Sequence, residues 1–200
     1  MANYSFKREV EVFLVHGGAR YKLDTSDISF DQTFKETSFP VKTLHNQSAV
    51  FESSAITTAN PANFSFSIPA LTEADFTIVE TLLLNTNQFD LFIKNNADTY
   101  KLTGCVITNG SFEIEKTRPL RIGISGQAQQ LQRGQTLAGS LQSRSASRTY
   151  VIPSKVLVLI DGTSVSYVTS LSLELQNEIR WTPYATVNGA RSATTASTTM

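Results

Sequence analysis

Polarity alternates residue by residue between Asp27 and Lys35. Ile28, Phe30, Gln32 and Phe34 fall on one side, and Asp27, Ser29, Asp31, Thr33 and Lys35 on the other. Side chains on a strand point to opposite faces in turn, so this spacing predicts a strand with one apolar and one wet, charged face. Leu171, Leu173 and Leu175, interleaved with Ser170, Ser172, Glu174 and Gln176, repeat the pattern near the C-terminus. Phe64-Ser-Phe-Ser-Ile, stopping at Pro69, Phe112-Glu-Ile-Glu and Leu120, Ile122, Ile124 alternate in the same way. Sheets built from such strands pack a core on one face and meet water on the other.

Turn signals divide these runs. Glu11–His16 reads as a short apolar strand, reversed by Gly17-Gly18 as in a two-residue hairpin and followed by Tyr21–Leu23. Lys35–Thr37 reads as a polar tip, with Phe39–Thr43 returning as its partner. Gln47–Asn63, rich in Ser, Thr, Ala and Asn, reads as a loop with one strand around Val50. Phe89–Lys94, a turn at Asn95–Asp98, and Tyr100–Thr108 follow, and Asn109-Gly110 is a further turn signal. Gln127–Arg148 is polar, carries Arg133, Arg144 and Arg148 and no acid, and reads as an inter-subunit arm. Tyr150–Ile160 is apolar, Asp161-Gly162 a hairpin turn, Ser164–Glu178 a long strand, and 188–200 a loose tail.

One helix is predicted near residues 72–85. Thr72 serves as its N-cap, Glu73 and Asp75 suit its positive end, and Phe76, Val79, Leu82 and Leu83 share a face. A weak internal repeat links Val12-Phe-Leu-Val, a Gly turn and Ile28-Ser-Phe-Asp to Val156-Leu-Val-Leu, Asp161-Gly and Leu171-Ser-Leu-Glu. Pro40 and Pro183 stand in register, 143 residues apart. The organisation is therefore residues 1–137 as a β-sandwich with one helix, 138–149 as a polar linker, 150–187 as an additional hairpin or partial repeat, and 188–200 as a tail.

Composition narrows the function classes. The 17 Lys+Arg balance 17 Asp+Glu, without the basic excess of a binder driven by phosphate contacts. Residues 1–100 hold 7 basic and 12 acidic side chains, and residues 101–200 hold 10 and 5, a −5/+5 split that suits a head-to-tail stack of subunits. Cys105 is the single cysteine, so no intrachain disulfide forms, and its strand-like setting is that of a small buried residue. His16 and His45 have no carboxylate or histidine at metal-ligand spacing. Gly123-Ile-Ser-Gly126 lacks the lysine and helix of a phosphate loop. No catalytic residue, cofactor or metal is expected. The start lacks the apolar run of a signal peptide, and no stretch approaches the roughly 20 apolar residues of a membrane span. The expectation is a chain made in the cytoplasm that stays soluble until it assembles.

The order of strand, Gly turn, long two-faced hairpin, strand to a proline, helix and late strands resembles the tail tube proteins of tailed bacteriophages and the related tubes of contractile injection systems. The residues that carry the likeness are Tyr21–Thr43, Pro69–Leu84, and Phe112–Gly134 with Arg121-Ile-Gly-Ile-Ser-Gly-Gln-Ala and Leu131-Gln-Arg-Gly. It spans about residues 8–137; residues 150–187 fall outside it. The resemblance implies a mainly β fold, an antiparallel β-sandwich or barrel with one helix, whose long hairpins form a multi-subunit barrel. It implies hexameric rings stacked head to tail around a channel through which DNA passes, without binding, in the tail of a virion. Initiator, terminator and sheath proteins would be further partners. Asp24, Asp27, Ser29, Asp31, Thr33, Lys35, Glu36 and Lys42 would line the channel, the carboxylates repelling phosphate. Arg133, Arg144 and Arg148 would sit on inter-subunit arms, together with Met1–Arg8. The alternative is a binding or decoration β-sandwich of a virion; a tube subunit forms rings or filaments at high concentration, and a binding module does not.

Overall fold

The computed structural model describes residues 10–43, 46–69, 81–82, 84, 87–116, 118, 120–142, 158–165, 168–181 and 193–199, with side chains throughout except at 35–59 and 193–199. The fold is mainly β. Its strands are β1 (Glu11–His16), β2 (Ala19–Leu23), β3 (Asp27–Asp31), β4 (Phe34–Thr43), β5 (Asn46–Ala59), β6 (Ala62–Pro69), β7 (Phe89–Lys94) and β8 (Thr99–Glu115). They continue as β9 (Arg121–Ala128), β10 (Gln130–Arg133), β11 (Ser140–Leu141), β12 (Val158–Ile160), β13 (Thr163–Val165), β14 (Ser170–Trp181) and β15 (Ala193–Thr199). Thr81, Leu82 and Leu84 are helical, in agreement with the end of the expected helix; its start lies outside the described residues.

The strand β8 belongs to both halves of the sandwich. Its first part pairs with β7 and β10, in the order β11-β2-β1-β7-β8-β10. Its second part pairs with β9 on one side and β14 on the other, giving β3-β6-β9-β8-β14-β15. The bend comes at Gly104, whose φ of 57° is open to glycine at little cost and whose N–H is taken by Asp90 Oδ1 at 3.1 Å. Every described pairing is antiparallel except β11 on β2. Both halves turn their apolar sides inward onto one core. Val12, Leu14, Leu91, Ile93 and Leu102 come from the first half, and Phe64, Phe66, Ile68, Ile122, Ile124 and Leu175 from the second. The Phe64 ring meets Phe89 edge-on at 6.0 Å, and Phe30 meets Tyr100 at 5.5 Å, so aromatic contacts join the halves.

Several expectations are corrected. The alternating run Asp27–Lys35 is two strands in different sheets, because the chain leaves the sandwich at Gln32-Thr33. There Gln32 Nε2 donates to Asn60 O (2.9 Å), Gln32 Oε1 accepts from Leu131 N (3.0 Å), and Asn60 N donates to Thr33 O (2.9 Å). Phe34, expected on the core side, opens the separate β4–β5 ribbon and is 54% exposed. That ribbon replaces both the expected tip at Lys35–Thr37 and the expected loop at Gln47–Asn63, and Pro40 sits at one of its bulges. Asn109-Gly110 is not a turn. Both residues lie inside β8 with partners on each side, Ser125 and Ile124 on β9, Gln176 and Leu175 on β14. Within the polar run after Gln127, Gln130–Arg133 and Ser140–Leu141 pair with their own chain as β10 and β11, residues 143–148 lie outside the described residues, and residues 193–199 form β15 on β14. As a single chain the sheet does not close into a barrel: β3 is an outer strand of its half. Among the described residues, the two halves of the sequence that carry the −5/+5 split interleave, since β8 and β9 from the second half lie between β7 and β6 from the first.

Candidate channel-facing surface

The outer side of β3-β6-β9-β8-β14 is a sheet face of small polar residues. Register builds it in rungs. Asp27 stands opposite Ser67, Ser67 opposite Gly123, Gly123 opposite Ser111, and Ser111 opposite Glu174. The next rung is Ser29, Ser65, Ser125, Asn109 and Gln176. Asp31, Asn63 and Gln127 follow toward one end, and Arg121, Glu113 and Ser172 toward the other. The intervening residues Phe64, Phe66, Ile122, Ile124 and Phe112 point to the core, so burial alternates along each strand.

Hydrogen bonds run across the strands. The hydroxyls of Ser29 and Ser65 hydrogen-bond at 2.8 Å, and those of Ser26 and Ser67 at 2.6 Å. Asp27 Oδ1 accepts from the Ser67 hydroxyl (2.8 Å) and backbone N–H (3.1 Å). Asn109 Nδ2 donates to Glu174 Oε1 at 2.9 Å. A relay crosses four strands: Trp181 Nε1 donates to Gln127 Oε1 (2.6 Å), Gln127 Nε2 to Asn63 Oδ1 (3.5 Å), and Asn63 Nδ2 to Asp31 Oδ2 (3.4 Å). The rungs offer the carboxylates of Asp27, Asp31, Glu113 and Glu174 against the guanidinium of Arg121, an acidic but largely neutral surface. Among the described residues, no group of three or more His, Cys, Asp or Glu is placed to hold a metal ion. No described helix is long and apolar enough to cross a membrane.

Of the residues singled out for the channel, Asp27, Ser29 and Asp31 come together on this face, all exposed. Thr33 lies just beyond it, its Oγ1 accepting from Asn60 Nδ2 at 2.8 Å, and Asp24 lies in the connection before β3. Lys35, Glu36 and Lys42 belong to β4, in the separate ribbon, and their side chains lie outside the described residues. Arg133 lies on β10, and its guanidinium donates to Asp98 of the same chain. That donation holds the Asp98 carboxyl below the usual carboxylate range and raises the arginine. Arg144, Arg148 and Met1–Arg8 lie outside the described residues. Sequence reasoning missed Ser65, Ser67, Ser111, Ser125, Asn109 and Glu174 as members of the same face. The signal was the shared alternation of their segments; what it lacked was the strand order that joins them.

The other half carries charges that pair among themselves. Lys22 Nζ lies 2.6 Å and Lys94 Nζ 3.8 Å from the Glu11 carboxylate, and Lys101 Nζ lies 2.9 Å from Asp90. Arg20 stacks over Phe13 and Lys101 over Phe92, at 5.6 and 5.3 Å from the ring centres. Cys105 is buried, and burial pushes its thiol well up, so it holds no reactive thiolate.

Residues 2–87 match the Bacteriophage Baseplate Tube Protein Family. The tail-tube likeness drawn from the sequence is thus met over the part of the chain that contains β1 to β6, fewer than half of the 200 residues. Nothing among curated proteins matches the chain. Among solved structures, it is similar at 12% identity to the sheath/tube terminator of the extracellular contractile injection system PVC in its extended state, over 66% of this chain and 99% of that one (TM-score 0.48). The tube terminating cap of the anti-feeding prophage AFP aligns at 13% identity over 68% and 94% (TM-score 0.49). The PVC sheath–tube complex in the extended state aligns at 13% identity over 62% and 87% (TM-score 0.44).

Proposed function

We propose that this protein is a non-enzymatic structural subunit of a phage-type tube, at or near the baseplate, and that the polar face of β3-β6-β9-β8-β14 lines the channel. The observation that carries the reading is that face itself: five strands wide, small in side chain, acidic rather than basic, and backed by the core. Such a wall offers a passing polyanion more carboxylates than cations and little apolar grip, so DNA slides instead of binding. The family match over residues 2–87 supports the same role. Subunits form hexameric rings that stack head to tail, a heterologous contact that extends along the axis, and other tail proteins start and end the stack. The particle's tail is the site of action, and the genome is its cargo.

Negative-stain microscopy of the purified protein across concentrations, alone and with tail initiator proteins, tests this. Rings or short tubes with an open lumen are expected. Monomers under every condition would overturn it.

A further inference from the structure

We propose that β14 stands, within one chain, in the place of a second copy's β3, and that the β8 edge it covers is the acceptor site for that neighbouring strand. The inference rests on the tube reading above. Three independent observations converge on it. The first is position: β3 and β14 flank the unit β6-β9-β8 on either side, and β15 joins β14 only from Gln176, where the pairing with β8 ends. The second is polarity. Each pairing in β3-β6-β9-β8-β14 is antiparallel, so β3 and β14 both run opposite to β8, and therefore in the same direction. Around a ring, the unit β3-β6-β9-β8 has an even number of strands and meets the next copy's β3 antiparallel at every seam. β15 covers β14 only from Gln176 onward, so over Ser170–Leu175 the edge is β14 itself, and a unit ending there has an odd number of strands and would meet the next copy parallel, the weaker arrangement. The third is sequence: Ile28-Ser-Phe-Asp maps onto Leu171-Ser-Leu-Glu at the same 143-residue offset as the two prolines.

Register shows what an exchange would do. Leu171 stands opposite Ile114 and Leu173 opposite Phe112 on β8. At the 143-residue offset, a neighbour's Ile28 would face Ile114, and its Phe30 would face Phe112. The resident strand is loosely seated, since Leu171 and Leu173 remain 39% and 44% exposed and only Leu175 and Asn177 are buried. The exchange also sets Asp27 opposite Glu115, where the single chain has Ser170. That like-charge pair favours the self-covered state in an isolated subunit. The strand therefore keeps free subunits apart until ring contacts outweigh it.

A reversible lock tests the idea in the full-length protein. Lys116 N donates to Thr169 O at 3.0 Å, and pairs alternate from there, so Ser172 and Glu113 form a non-hydrogen-bonded pair with close side chains. Both are exposed. The double variant Ser172→Cys/Glu113→Cys, oxidised, should hold β14 on β8 and reduce ring formation at least tenfold, with recovery on reduction. A second variant, Ser29→Cys/Glu113→Cys, should give a disulfide-linked ladder of oligomers when assembled rings are oxidised. Equal assembly of the locked and reduced chains, or rings that give no ladder, would overturn the exchange and leave the tube reading standing. Wild-type protein that forms no rings would overturn both.

Discussion

Glu11 shows how a single residue ties this fold to pH. Its carboxyl is held below the ordinary value chiefly by the hydrogen bond from Lys22, with the charges of Lys22 and Lys94 adding to it against the cost of burial. A carboxylate depressed in the folded state stabilises that state fully above its unfolded pKa, about 4.3. The contribution is lost as pH falls through the folded value. The side chain is 40% exposed, so solvent screening keeps the effect to a few tenths of a kcal/mol. Glu11→Gln should therefore cost that little at pH 7 and nothing near pH 2, which melts across pH would show as a shallower acid limb. The glycines of β9 give a sharper contrast. A Cβ on Gly126 would lie 2.3 Å from Val106 O and 2.4 Å from the Phe64 ring, a backbone atom and a packed core side chain. A Cβ on Gly123 would meet only Ser111 Oγ, at 2.5 Å, the end of a side chain at the polar surface that can turn away. Gly126→Ala should destabilise by about 1–3 kcal/mol and Gly123→Ala by well under 1, as read from denaturant midpoints. Similar losses at both positions would mean that β9 is turned the other way.

At the scale of elements, strands announced by strict alternation were legible. Phe64–Ile68, Phe89–Lys94 and the inward and outward residues of β3 and β9 fall where polarity puts them, and the Gly17-Gly18 and Asp161-Gly162 turns both adopt the positive φ values that such two-residue hairpins require. What escaped was structure fixed by partners instead of local preference. Asn109-Gly110 carries a strong local turn signal, but β9 and β14 pair with it from both sides and hold it extended. Gln47–Asn63 is too rich in Ser, Thr and Ala to read as strand, yet its ladder with β4 makes Asn46–Ala59 one. Gln130–Arg133 and Ser140–Leu141 lack an apolar face, and are recruited by backbone bonding to β8 and β2. Phe34 misled because alternation continues through a sheet change: the period of two says which side a residue takes, not which sheet it is in. The candidate site was legible to the same extent. Asp27, Ser29 and Asp31 were found on β3, while the serines that flank them required the strand order.

For the whole molecule, the polar face matters through its area and its near-absence of positive charge. Ser65 and Ser125 sit at its centre, in one rung, with their hydroxyls on the outer side of the sheet. Ser65 is exposed and Ser125 half-buried, and both alternate with core residues, so longer side chains at either position extend outward from the sheet and leave Phe64, Phe66 and Ile124 in place. Ser65→Lys/Ser125→Lys adds two cations per subunit to a face whose rungs set the carboxylates of Asp27, Asp31, Glu113 and Glu174 against Arg121. The altered chain should still assemble, because the strand edges and the core are untouched. Its tubes should retain duplex DNA at about 50 mM salt and release it steeply as salt rises, the mark of counterion release from phosphate contacts. Wild-type tubes should retain none under the same conditions. A gel-shift series against ionic strength distinguishes the two. If wild-type and lysine tubes behave alike, the face that carries Ser65 and Ser125 lies outside the channel, and the wall must be sought on the β4–β5 ribbon instead.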